Sequence, residues 1–85
     1  MLNHESLIEE GFELNEYPEG KFYEITIEDP TSEILDALEY RYDPEMPPEY
    51  VILQTREDFS NTVVSIDGEV WDMTIDDLEK LLDIL

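Results

Sequence analysis

The chain has 85 residues, of which 24 are Asp or Glu and only four are Lys or Arg, so its formal net charge at pH 7 is −20. It contains no cysteine, which excludes disulfides, thiolate metal sites and cysteine nucleophiles. Four cations cannot neutralise the several phosphates that supply most nucleic-acid affinity, so direct nucleic-acid binding is excluded, whereas 41% hydrophobic residues predict a folded domain rather than a disordered acidic chain.

The first third of the chain is predicted to form a helix and a hairpin. The helix covers residues 3–10, with Asn3 as its N-cap and Gly11 as its C-terminal stop. The hairpin has a turn at residues 18–20 and a return strand over residues 22–27. Alternation along the return strand places Tyr23, Ile25 and Ile27 on one face and Glu24, Thr26 and Glu28 on the other.

A second helix is predicted to start at residues 29–30, because Asp caps helices and Pro suits the first helical position. Its apolar stripe would consist of Ile34, Leu35, Leu38 and, if the helix lasts one more turn, Tyr42. Three prolines within residues 44–48 then predict a loop, because they suit neither a helix nor a central strand.

The second half of the chain is predicted to form a three-stranded meander and a closing helix. Strands are expected at residues 50–55 and 62–66, and Asp67-Gly68 is a strong signal for a two-residue hairpin turn into a further strand. Thr74 would then cap a helix, with an Asp three residues later in place of the usual Glu or Gln of a capping box. The apolar residues of this helix recur at helical spacing: Ile75, Leu78, Leu81, Leu82 and Leu85.

Together these elements predict a single acidic α+β domain over residues 1–85. Its fold would be an antiparallel β-meander or hairpin sheet with two to three short helices packed on one face, which would leave the other face wet and acidic. The first residues lack the basic and apolar regions of a signal peptide, and no apolar run reaches the ~20 residues needed to cross a bilayer. We therefore expect a cytoplasmic protein without membrane contact.

No residue pattern points to catalysis or to a cofactor. The single histidine, His4, lies near a terminus that we expect to be mobile, whereas a general base needs a fixed position. The serines lack a nucleophile elbow, and three scattered glycines form no phosphate-binding loop. The carboxylates lack the ligand spacing of a calcium loop. We therefore expect a protein that is not an enzyme and that has no cofactor and no specific metal site.

The carboxylates instead suggest an imitation of DNA. A duplex carries one charge per ~1.7 Å of its axis, and outward residues on a strand recur every ~6.6–6.8 Å, so rows of carboxylates can approximate rows of phosphates. The exposed loop residue Met46 is the predicted apolar anchor, whereas Phe59 and Trp71 are predicted to complete the core. The candidate carboxylates are Glu13, Glu24 and Glu28 on the hairpin, Glu33, Asp36 and Glu39 on the middle helix, and Asp76, Glu79 and Asp83 on the last helix.

Three segments carry a resemblance to a known family. Glu5-Ser6-Leu7 is similar to a Glu-Ser-Ile motif of the uracil-DNA glycosylase inhibitors, which are small phage-encoded DNA mimics. Residues 51–55 and 63–67 are similar to the later strands of the same family. The resemblance implies that Glu5, Ser6 and Leu7 enter the enzyme's DNA-binding groove. It also implies an apolar pocket between sheet and helix that encloses a leucine of the enzyme, lined here by Ile34, Leu38, Val51 and Leu53.

The chain departs from that family in two ways: the motif has no helix before it, and the chain ends in an amphipathic helix that the family lacks. If residues 5–7 lie on a helix, the implied role fails. The sequence thus predicts a monomer that inhibits a basic DNA-binding enzyme of DNA repair or defence, with uracil-DNA glycosylase as the first target. The alternatives are a CRISPR or restriction nuclease inhibitor, an immunity protein against a basic nuclease toxin, and a plain adaptor module.

Overall fold

The computed structural model describes residues 2–85 and contains three helices and five strands within them. The strands form one antiparallel sheet in the order β1-β2-β3-β4-β5, which confirms the predicted α+β meander. No helix within residues 2–85 is long and apolar enough to cross a membrane. The elements are α1 His4–Glu10, β1 Glu13–Tyr17, β2 Gly20–Glu28, α2 Ser32–Ala37, β3 Tyr50–Arg56, β4 Thr62–Ile66, β5 Glu69–Met73 and α3 Ile75–Leu82.

The first helix begins and ends where the sequence predicts. The Asn3 side chain accepts a hydrogen bond from the Ser6 backbone N–H at 2.8 Å, and Ser6 Oγ accepts one from the Asn3 N–H at 3.0 Å. This reciprocal capping box satisfies two donors that would otherwise be left free. Gly11 ends the helix with a φ of 104°, which is strained for any residue with a side chain. The Nδ1 atom of His4 lies 2.6 Å from the Tyr23 hydroxyl oxygen.

The predicted start of the second helix is wrong by two residues. Asp29 has a φ of 49° and its N–H donates to the Glu49 carbonyl at 2.9 Å, so it closes the end of β2 instead of capping a helix. Thr31 is the N-cap, and its hydroxyl accepts from the Ile34 N–H at 3.2 Å. The helix ends at Ala37, and Tyr42 therefore lies beyond it in the loop.

The second half of the chain follows its prediction closely. Asp67 and Gly68 both have positive φ values, 49° and 84°, as a two-residue hairpin turn of the mirror-image type requires. The Thr74 hydroxyl accepts from the Asp77 N–H at 3.1 Å and caps α3, which buries its apolar stripe at Leu78, Leu81 and Leu82.

The core lies between one face of the sheet and the helices. Ile25, Leu53 and Val64 stand opposite one another across β2, β3 and β4 on this inner face. The inner-face residues share one buried cluster with the apolar residues of all three helices. The only polar side chains buried with them in residues 2–85 are Thr55 and Thr62, whose hydroxyl oxygens lie 3.0 Å apart. The helices thus cover one face of the sheet and leave the other open to solvent.

Candidate protein-binding surface

The carboxylates are presented on the outside of a folded body. Of the 24, every one is exposed except Glu24 and Glu79, which are half-buried. All 24 carboxylates are therefore at least partly accessible to a partner.

One candidate surface is the sheet face that no helix covers. We call it the open face, and it consists of the strand residues whose side chains point away from the core. Its acidic members lie towards the two sides of the sheet and its apolar members lie mainly between them. The acidic members are Glu13, Glu24, Glu28 and Asp72, and the apolar members are Phe22, Tyr50, Ile52, Val63 and Val70.

The open face differs from the wet, acidic surface that the sequence predicts. Val70 and Tyr50 are 63% and 47% exposed, and Ile52 and Val63 are half-buried by their neighbours alone. The central strands β3 and β4 therefore present apolar side chains to solvent, with carboxylates on either side. An apolar centre within a polar rim is the usual anatomy of a protein–protein interface.

Glu24 is the most strongly positioned carboxylate of the open face. Its Oε2 accepts hydrogen bonds from the Tyr17 hydroxyl at 3.0 Å and from Gln54 Nε2. Glu13 stands directly opposite Glu24 in the β1–β2 register. Like charges directly opposite each other destabilise a sheet. The fold thus holds an unfavourable pair of anions on its surface, and a cation from a partner would relieve the repulsion.

Arg56 is the cation of the open face within residues 2–85, and its side chain already contacts an aromatic ring of the same face. The Arg56 guanidinium lies over the Phe22 ring, 5.1 Å from its centroid, and the Tyr17 ring meets Phe22 edge-on at 5.9 Å. These contacts order the end of the face where β1, β2 and β3 meet.

Tyr17 titration offers a test of the Glu24 geometry. The hydrogen bond to Glu24, then burial and the Glu24 charge, raise the pKa of Tyr17 above its ordinary value of 10.0. A raised pKa favours the neutral phenol in the folded state, so this contribution to stability is complete below pH ~10 and is lost as pH rises through the folded-state pKa. We expect Glu24→Gln to lower the pKa of Tyr17, as followed by NMR of its ring carbon during alkaline titration.

Tyr40 is the internal control for that titration. Its pKa is raised first by burial and then by the charge of Asp67, to which its hydroxyl donates at 3.4 Å, and Glu24 makes no contribution. It should titrate identically in both proteins. A Tyr17 pKa that is unchanged in the Glu24→Gln variant would contradict the hydrogen bond.

The second candidate surface is the solvent side of the helices. Glu33 and Asp36, both predicted as binding residues, are exposed on α2. Glu24 and Glu28 lie on the open face, on the other side of the core. The predicted acidic residues are therefore divided between two opposite surfaces, and one flat contact cannot use all four.

The motif that resembles the glycosylase inhibitors lies on α1, where its implied role fails. Leu7 is 0% exposed and packs in the core, and Ser6 is engaged in the capping box. Of the three residues, only Glu5 is exposed on the surface. A partner could therefore reach Leu7 only if the helix left the core.

The other predicted apolar contacts have different outcomes. Leu38 and Leu53 are 7% and 0% exposed and belong to the core, as do Ile34 and Val51 of the implied pocket. These four side chains fill the space between sheet and helices. Met46 is 77% exposed in the loop between α2 and β3, as predicted for an anchor.

Sequence reasoning missed the apolar residues of the open face and an aromatic stack beside α2. Tyr40 stacks on Trp71 at a centroid distance of 6.0 Å and on Tyr42 at 6.5 Å. The stack depends on the early end of α2, which the sequence did not predict. The open face did leave a signal, because strict alternation from the buried Tyr23 places Phe22 outward.

No protein-family model, curated protein sequence or solved structure matches the chain. Within residues 2–85, no group of three or more His, Asp or Glu side chains is arranged to hold a metal ion.

Proposed function

We propose that this protein is a DNA mimic that inhibits a DNA-processing or defence enzyme by occupying its cationic DNA-binding groove. The supporting observation is the charge density. A net charge of −20 is carried on a body whose longest dimension is 37 Å. A duplex of that length carries about 22 phosphate charges, at one charge per ~1.7 Å of axis. The net charge of the whole protein is therefore close to that of a duplex of the same length.

The carboxylates also have a spacing that suits this role. Residues of an antiparallel strand rise ~3.4 Å each, which equals the rise per phosphate along one DNA strand. Glu24 and Glu28 lie four residues apart on the open face of β2. Their spacing along the strand thus corresponds to every fourth phosphate, about 13–14 Å apart. Solubility alone requires a net charge of only about 2–8 in a small domain.

The proposed targets are DNA-processing and defence enzymes as a class, and we propose that the protein meets its target in the cytoplasm. The resemblance puts uracil-DNA glycosylase first among the enzymes to test, although Leu7 lies in the core and does not support that choice. Restriction and CRISPR nucleases follow, because they also bind DNA in cationic grooves. A basic nuclease toxin belongs in the same panel, since inhibition of that enzyme alone would indicate an immunity protein.

The test is a competition assay in which the protein is titrated into each enzyme acting on its DNA substrate. We expect stoichiometric inhibition of one enzyme, relieved by excess unmodified DNA and weakened by salt. Poly-glutamate of equal net charge is the control, and it should inhibit far less because its charges are not fixed in space. A folded protein that inhibits none of the enzymes would overturn the proposal.

A further inference from the structure

We infer that the open face is the surface that contacts the partner, and that it fits a basic protein surface that presents an apolar side chain between its Lys or Arg residues. This inference rests on the proposed function and specifies which of the two acidic surfaces is used. It follows from the carboxylates on either side of the open face, the apolar side chains at its centre and the electrostatic repulsion between Glu13 and Glu24.

The charges of the open face are arranged as a rim. One cross-strand row runs from Glu13 and Glu24 through Gln54 and Val63 to Asp72. Strands lie ~4.8 Å apart, so the carboxylates of Glu24 and Asp72 flank two uncharged residues, Gln54 and Val63, with about 14 Å between the strands that carry the two carboxylates. Cations on either side of an apolar protrusion would meet both rims at once.

Within residues 2–85, the helices pack on the other side of the sheet and leave the centre of the open face uncovered. Ile52 on β3 and Val63 on β4 point away from the helices, and Val70 on β5 is 63% exposed beside them. Covering apolar side chains on a sheet face is favourable, because it removes apolar surface from water. Apolar contact at the centre lowers the dissociation rate, whereas rim charges chiefly raise the association rate.

Charge complementarity identifies the occupant as basic. A second copy of this chain would place its own carboxylates against those of the open face and would be repelled. Arg56 is the cation of this face within residues 2–85, and it lies over the Phe22 ring. Glu13 and Glu24 face each other across β1 and β2, and a cation supplied by the partner would reduce their mutual repulsion.

The face can be tested with a defined probe before any target is known. The probe is a short peptide of alternating arginine and leucine, titrated into the methyl-labelled protein and followed by NMR. We expect saturable shifts at the Ile52, Val63 and Val70 methyl groups. The Ile8 methyl group, 42% exposed on α1, is the control and should not shift. Shifts at Ile8 that equal those at Ile52 would overturn the inference.

Two charge-matched variants give an independent readout. Glu13→Gln with Glu24→Gln and Glu33→Gln with Asp36→Asn each remove two negative charges, the first pair from the open face and the second from α2. We expect the open-face variant to bind the peptide about tenfold more weakly and the α2 variant to change binding less than about twofold. Equal losses in the two variants would indicate a bulk charge effect and would contradict the inference.

The same two variants distinguish this inference from the proposed function. If an enzyme of the panel is inhibited equally well by both variants, the DNA mimicry stands and the assignment of the open face fails. If no enzyme is inhibited and the peptide still binds at Ile52 and Val63, the DNA mimicry fails while the open face remains a site for basic protein segments.

Discussion

The Leu53→Ala substitution is expected to reduce the free energy of unfolding by about 3–4 kcal/mol, within the range for truncating a buried leucine. Leu53 is fully buried in the central strand β3, opposite Ile25 and Val64 on the neighbouring strands. Hydrogen bonding to strands on both sides prevents β3 from moving to fill the space. A domain of this length has a total stability of about 4–13 kcal/mol at 0.05–0.15 kcal/mol per residue, so the loss is a large fraction of it.

Urea denaturation followed by circular dichroism measures this loss, and Val70→Ala is the matched control. Val70 lies on the edge strand and is 63% exposed, so its truncation should change stability by less than about 0.5 kcal/mol. The comparison also separates two roles for Leu53. A residue that lined a partner pocket would lose binding with little loss of stability, whereas a core residue loses stability first. A change below about 1 kcal/mol would contradict the core assignment.

The elements that the sequence predicted correctly are those with local signals. The turn at Asp67-Gly68 requires two positive φ values, which these residue types tolerate and most others do not. The start of α2 was predicted at Asp29 from local signals, but Thr31 is the N-cap. A hydrogen bond from the Asp29 N–H to the Glu49 carbonyl, twenty residues away in the chain, holds Asp29 at the end of β2 instead.

The candidate site could be predicted only in part, for a similar reason. Alternation within β2 correctly placed Glu24 and Glu28 on one face, because that pattern is local. Whether Glu33 and Asp36 on α2 join them depends on which side of the sheet the helix packs. Apolar residues also have the same spacing in the sequence whether they fill a core or line a pocket, so the burial of Leu38 and Leu53 was not predictable from spacing.

Raising the ionic strength is expected to change folding stability and partner association in opposite directions. The Debye length is about 30 Å at 0.01 M salt and about 3 Å at 1 M. The molecule measures 37 × 27 × 19 Å, so at the lower concentration nearly all of its exposed carboxylates repel one another. Added NaCl screens this repulsion, and the melting temperature should rise. The association rate with a cationic groove should fall by about 10–1,000-fold over the same range, because electrostatic steering is screened.

Thermal melting at increasing NaCl concentrations measures the effect on stability. Stopped-flow mixing with the enzyme that the panel identifies measures the effect on the association rate. A melting temperature that falls with salt would show that attractive ion pairs outweigh repulsion. An association rate independent of salt would show that the carboxylates do not face the partner's cations.

The double variant Glu13→Gln/Glu24→Gln tests both effects in one protein, because it removes a facing pair of anions. It should raise the melting temperature at low salt and slow association, since the same charges oppose folding and promote binding.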